Sequence, residues 1–219
     1  MTALQVEPVI EVLGDEAFDL WPVVGREGFW HIPLHGTMTD AEVGTAVHQI
    51  MRWFHTDENG HEAASLTAYL DRALGSHDPD GAQPIATGGL RFTDTRTGNT
   101  VLPGCCYSVD ERFAILDVLD GSQPGCWLGH SPDAGITVRD GLVEIVQDAE
   151  DAARPVLRFT PEEVRASLAA AESDLDGFCD RVATWAATHA QRHASLLSDA
   201  AVARALEAGR HRPVNGDPQ

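Results

Sequence analysis

The sequence predicts an α+β fold: an antiparallel sheet built from two hairpins and extra strands, with an N-terminal helix pair and a long C-terminal helix packed on it. Three observations carry this expectation. Alternating apolar segments closed by glycine turns recur between residues 88 and 146. Apolar residues at helical spacing, preceded by a capping pattern, mark residues 39–75. An apolar heptad stripe then runs from Val164 to Trp185.

In chain order, the first 36 residues read as extended. Val6, Val9, Ile10 and Val12 line one strand. The segment GFWHIPLHG forms another, and Pro33 pushes it to a sheet edge because proline has no N–H to give a central ladder. A helix starts after Thr39, with Glu42 three residues on completing a capping box. Its buried stripe is Val43, Val47, Ile50, Met51 and Phe54. The turn ENGH at 58–61 leads to a second helix, HEAASLTAYLDRALG, closed by Gly75. SHDPDGAQP is a loop on composition.

TGGLRFTDTRTGNTVLPG reads as a hairpin turning at Thr97-Gly98-Asn99. A short helix from Asp110 to Leu119 follows and ends at Asp120-Gly121. CWLGH is a strand fragment, ITVRDGLVEIV a second hairpin around Asp140-Gly141, and RPVLRF a last strand. Thr160-Pro161-Glu162-Glu163 combines an N-cap, a proline at the first helical position and a capping glutamate. The helix it opens carries Val164, Leu168, Ala171, Leu175, Phe178, Val182 and Trp185 at alternating spacings of four and three. A second short helix is expected from Ser195 to Leu206. Residues 1–159 thus form an α+β body, 160–208 a helical segment packed on it within one domain, and 209–219 a disordered tail. The 164–185 stripe is also a candidate homodimer surface.

All fifteen basic residues are arginine, against thirty-four acids, for a net charge of −19. Without lysine there is no Schiff base with a carbonyl substrate, no pyridoxal aldimine and no P-loop lysine. Residues 1–60 hold ten acids and two arginines, and 121–180 hold twelve and four, whereas 181–219 reverse to three and five. Such a surface repels nucleic acid and anionic membranes, whose binding draws on neutralised phosphates. It attracts a basic protein partner and raises the encounter rate. The acidic start lacks the positive, apolar pattern of a secretory signal, and no stretch approaches 18 apolar residues. Four cysteines make no disulfide scaffold. A cytoplasmic location is expected.

The chemistry-bearing residues concentrate in LPGCCYSVDERF and PGCWLGH. Cys105, Cys106 and His130 are the candidate catalytic residues, for redox or nucleophilic use. Cys105, Cys126 and His130 form the alternative metal set, with zinc or iron as the suitable ions. The spacing lacks the two-residue gap usual inside a cysteine ligand pair. Core packing at the hairpin base is therefore the expected role, and no cofactor is expected. Trp127 lies among glycines beside Cys126 and His130. It is expected in the core; exposed, it would be a binding anchor, with Asp133 and Asp140 as neighbouring polar contacts.

Other histidine patterns fall short. His61-Glu62 opens like a metalloprotease helix, but Ser65 stands where the second zinc histidine is needed. His55-Thr56-Asp57 has the form of an iron-oxygenase pair without the strands of that barrel. His31 and His35 sit too far apart along a strand to share an ion. His189 and His193 are one helical turn apart and lack a third ligand.

The ordered string GGLRFTDTRTG, LPGCC, a short helix, WLGHSP and a DG hairpin, over roughly residues 85–190, resembles a group of acidic proteins of high-GC bacteria. Arginine in place of lysine, with abundant alanine, glycine, aspartate and valine, fits such a source. That resemblance brings no activity with it. The α+β layout and acidic surface are similar to those of SUKH-type bacterial toxin-immunity proteins. This implies an acidic binding protein, an immunity or inhibitor factor for a basic protein. The alternative expectation is a small tailoring or hydrolytic enzyme using the Cys/His site, with or without metal.

Overall fold

The computed structural model describes residues 3–14, 18–54, 62–75, 84–151 and 153–207. The ENGH turn, the 76–83 part of the SHDPDGAQP loop, His55-Thr56-Asp57, His61 and the 209–219 tail lie outside the described residues.

The fold is α+β, and its strands divide into two four-stranded antiparallel sheets rather than the single sheet expected. In the first, the order is β2-β1-β3-β4, from β1 (Leu4–Leu13), β2 (Phe29–Pro33), β3 (Gly88–Asp94) and β4 (Thr100–Val101). In the second it is β5-β6-β7-β8, from β5 (Gly125–Trp127), β6 (Gly135–Arg139), β7 (Leu142–Val146) and β8 (Val156–Phe159). The division follows from β4. It spans two residues, and Pro103 just beyond it lacks the donor that a continuing ladder would need. β2 is an edge strand, as Pro33 predicts. Both hairpins turn where expected, at Gly98 (φ 75°) and at Asp140-Gly141 (φ 51° and 76°), the pair of positive φ angles that a two-residue hairpin requires.

The helices follow their caps. α1 (Asp40–Met51) is closed at its start by the Thr39–Glu42 box, and all five expected stripe residues are buried. α2 spans Leu66–Gly75, later than the expected start at His61, because Ser65 Oγ accepts from the Ala68 N–H and caps it there. The short helix is a 3₁₀ turn (Val109–Phe113) leading into α3 (Ala114–Leu119), opened by a second capping box at Ser108 and Glu111. α4 runs from Pro161 to His189. Beyond it, Leu196–Val202 is wound as a π-helix before α5 (Ala203–Ala205), in place of a regular helix from Ser195.

β1 and α4 each serve two apolar cores. Leu4 and Val6 of β1 join Leu168 and Ala171 of α4 against the second sheet. Ile10 and Val12 join Phe178, Val182 and Trp185 against α1, α2 and the C-terminal turns. Every residue of the heptad stripe is buried in these two cores. The expected homodimer contact through residues 164–185 is corrected accordingly: that face is consumed inside the chain. Polar ties fix the same helix. Ser167 donates to the Leu4 carbonyl at 2.8 Å, Arg181 donates to the Met38 carbonyl at 2.8 Å and to Asp40, and the Arg112 guanidinium meets Glu172 at 2.7 Å.

Candidate functional site

Two loops, 102–108 and 128–132, are zipped together beside the outer face of the first sheet. Gln147 at the end of β7 clamps Leu102 twice, accepting from its N–H at 2.7 Å and donating to its carbonyl at 3.1 Å. The Gly104 N–H donates to the Leu128 carbonyl at 2.8 Å. Cys105 and His130 exchange both backbone hydrogen bonds, at 2.7 and 3.1 Å, as a hydrogen-bonded antiparallel pair whose side chains share a face. Glycine is required at both contact points. A Cβ on Gly104 would lie 2.5 Å from the Gly129 backbone, and one on Gly129 (φ 106°) 2.4 Å from Gly104. Farther along, the Tyr107 ring lies where a side chain on Gly89 would be.

Cys106 holds a left-handed conformation (φ 63°), uncommon for a residue with a side chain, and its thiol returns to 3.2 Å from that of Cys105. Ligand atoms of Cys105, Cys106 and His130 lie within 4.8 Å of one another, and all three residues are exposed. Core packing, expected for these cysteines, is thus corrected, because the zipped loops run over the sheet rather than beneath it. The metal set Cys105, Cys126 and His130 is corrected as well. Cys126 packs against the second core, where burial pushes its thiol up to about 12, and Cys106 takes its place beside the other two. Cys179 is also set apart, raised by burial to about 11.

The electrostatics distinguish two uses of these thiols. The hydrogen bond shared with Cys106 holds the Cys105 thiol above its ordinary value, and desolvation, the Cys106 thiol and Glu11 push the same way. A nucleophilic thiolate is made by a neighbouring cation or helix N-terminus. The influences on Cys105 are the reverse of that. A soft cation, by contrast, displaces thiol protons itself and is drawn to a negative surface. Zinc–sulfur bonds of about 2.3 Å at tetrahedral angles put two sulfurs roughly 3.8 Å apart, against 3.2 Å for this pair.

Trp127, expected in the core, is instead 44% exposed, because it ends β5 on the rim of the second sheet. Its indole N–H donates to Asp133 at 2.9 Å, and its ring centre is 5.8 Å from that of His130. Asp140 lies apart from them. It sits at the β6–β7 turn, whereas Trp127 pairs with Gly135 at the opposite end of β6.

A groove of about 940 Å³ opens beside the cluster. Cys105, Ser131 and Pro132 form one wall, and Glu11, Phe29 and His31 of the first sheet form another. Glu11 and His31 are direct cross-strand partners, and so are Leu13 and Phe29. The sequence indicates Val6, Val9, Ile10 and Val12 as a strand but passes over Glu11. Its one trace there is an acid interrupting an apolar run; the pairing with His31 comes from β1–β2 register. His31 and His35 do not converge, since His35 accepts from the Thr37 N–H beyond the end of β2. Nor do His189 and His193: the first stacks on Trp185 and meets Asp40 at 3.3 Å, and the second meets Asp71 at 2.7 Å.

No family model matches the chain, and comparison with curated proteins and with solved structures finds no match. Among the described residues, no helix is long and apolar enough to cross a membrane.

Proposed function

We propose that this protein binds a soft metal cation, zinc or another thiophilic ion, through Cys105, Cys106 and His130. The observation that carries the reading is the convergence of two thiols and an imidazole within 4.8 Å on an exposed loop pair. Three protein ligands leave a fourth position open, as in sites that hand an ion on or act on a ligand. The net charge of −19 favours cations throughout. Displacement of the thiol protons makes binding weaken as pH falls.

Titration with cobalt(II) or zinc(II) tests the proposal. One equivalent should bind, cobalt should give thiolate charge-transfer absorption, and zinc at about 100 times its Kd should stabilise the fold by about 2.7 kcal/mol. Cys105→Ser and Cys106→Ser should each abolish the band, while Cys126→Ser and Cys179→Ser retain it. Absence of the band, or its persistence in the Cys105→Ser/Cys106→Ser double variant, sinks the idea.

A second reading, an immunity or inhibitor factor acting on a basic protein, draws support from the half-exposed Trp127 held by Asp133 on the same rim. A partner released between low salt and about 0.5 M salt, where the Debye length is about 4 Å, supports it. Capture unaffected by salt and by Trp127→Ala counts against it.

A further inference from the structure

We propose that the groove beside the thiol cluster binds an organic cation, an alkyl ammonium or guanidinium on an apolar stem, with Glu11 as its counter-charge and Phe29 as its aromatic wall. This goes beyond the metal reading and does not depend on it.

Glu11 stands out among the acids of the sheets. Glu7 is paired with Arg91 at 2.9 Å, Asp94 with Arg96 at 3.1 Å, and Glu144 with Arg158 at 2.7 Å. Glu42 and Glu163 close helix caps. The Glu11 carboxylate is half-buried in the groove wall and, among the described residues, has no hydrogen-bond or ion-pair partner. Burial outweighs the attraction of Arg52 and pushes its pKa up. A half-buried carboxylate without a partner is a standing cost to the fold, which a bound cation would offset.

Apart from the attraction of Arg52, the described surroundings offer no cation that pairs with it. Burial and then Arg91 lower the pKa of the cross-strand His31, which disfavours its charged form, and among the described residues its Nε2 has no hydrogen-bond partner. Arg154 also lines the groove, but it pairs with Asp151 at 3.4 Å. Asp148 adds a second negative group on the far wall. An anionic ligand would therefore meet two carboxylates and one engaged arginine, and a hard metal ion would find too few oxygens around Glu11.

The apolar part of the ligand follows from the next cross-strand pair on the same face. Phe29 is 59% exposed and Leu13 is 39% exposed, both lining the groove two residues along from His31 and Glu11. An exposed aromatic beside a carboxylate is the arrangement that holds an ammonium or guanidinium by charge and ring face together. The volume suits a small molecule or one long side chain. The chain has no lysine of its own to fill such a site.

The same chemistry comes from two sources, a free amine or an arginine side chain of a peptide, and two probes separate them. Agmatine and a blocked arginine tripeptide are titrated into the full chain, with amide shifts and calorimetry as readouts. Binding with a Kd of about 1 mM or tighter is expected for at least one probe. Glu11→Gln should weaken it about tenfold and Phe29→Ala about threefold, and an excess of the chelator EDTA should leave it unchanged, which keeps this result separate from the metal reading. A tripeptide preference above tenfold assigns the site to a polypeptide, and the reverse assigns it to a free amine. The proposal is overturned if neither probe binds, if n-butylurea binds as tightly as agmatine, or if Glu11→Gln binds as the parent does.

Discussion

Glu11 and Cys105 both line the groove, and both hold their protons more tightly than usual, Glu11 through burial and Cys105 first through its hydrogen bond with Cys106. For Glu11 the consequence for stability has a definite sign. Burial raises its pKa in the folded state above the unfolded value of about 4.3. The folded state therefore holds the proton more tightly. The associated stability is complete below the unfolded value and is lost as pH rises through the folded one. At neutral pH the ionised side chain opposes folding. Glu11→Gln should accordingly raise Tm at pH 7, with the gain shrinking to nothing near pH 4. Melting curves of both proteins between pH 4 and 8 check this. A variant that melts lower than the parent at pH 7 would mean that Glu11 has a stabilising partner. The outcome fits a residue kept for binding, since natural proteins retain such groups where function needs them.

At the scale of the element, the loop pair 102–108 and 128–132 is the unit that makes the cluster, and glycine sets its geometry. Gly129→Ala would combine a left-handed backbone with a Cβ 2.4 Å from Gly104. Backbone strain of about 1–2 kcal/mol and overpacking of about 1–3 kcal/mol should follow. Native-state hydrogen exchange should show the Cys105 and His130 amides opening faster, and cobalt binding should weaken at least tenfold. Unchanged protection of those amides would show that the zipper does not depend on this approach. Little of this unit is legible in the sequence. The hairpins at Thr97-Gly98-Asn99 and Asp140-Gly141, the capping boxes at Thr39 and Thr160 and the stripe from Val164 to Trp185 are, because turn chemistry and helical period act over a few neighbours. The return of Cys106 onto Cys105 depends on a φ of 63°, and the substitution of Cys106 for Cys126 depends on how two loops meet. Neither has a local signature. The start of α2 was legible in principle, since Ser65 is an N-cap type, but the acidic residues ahead of it read equally well as a first turn.

At the scale of the molecule, β1 and α4 run the length of both cores and couple them. α4 alone spans about 43 Å at 1.5 Å per residue. It places Leu168 and Ala171 in one core and Phe178, Val182 and Trp185 in the other. Neither core can lose its packing without stripping part of a continuous helix and of the strand beneath it. The two sheets are therefore expected to unfold together, despite having separate hydrogen-bond ladders. Ile50→Ala removes a fully buried side chain from the core on α1, and Ile145→Ala does the same in the core on β7. Each should cost about 2–5 kcal/mol. For a chain of this size that lowers Tm by roughly 2–4 °C per kcal/mol. Both variants should move one calorimetric transition as a whole, with far-ultraviolet and tryptophan signals coincident. Two resolved transitions in either variant, or a shift confined to part of the amplitude, would show that α4 links two independently melting units.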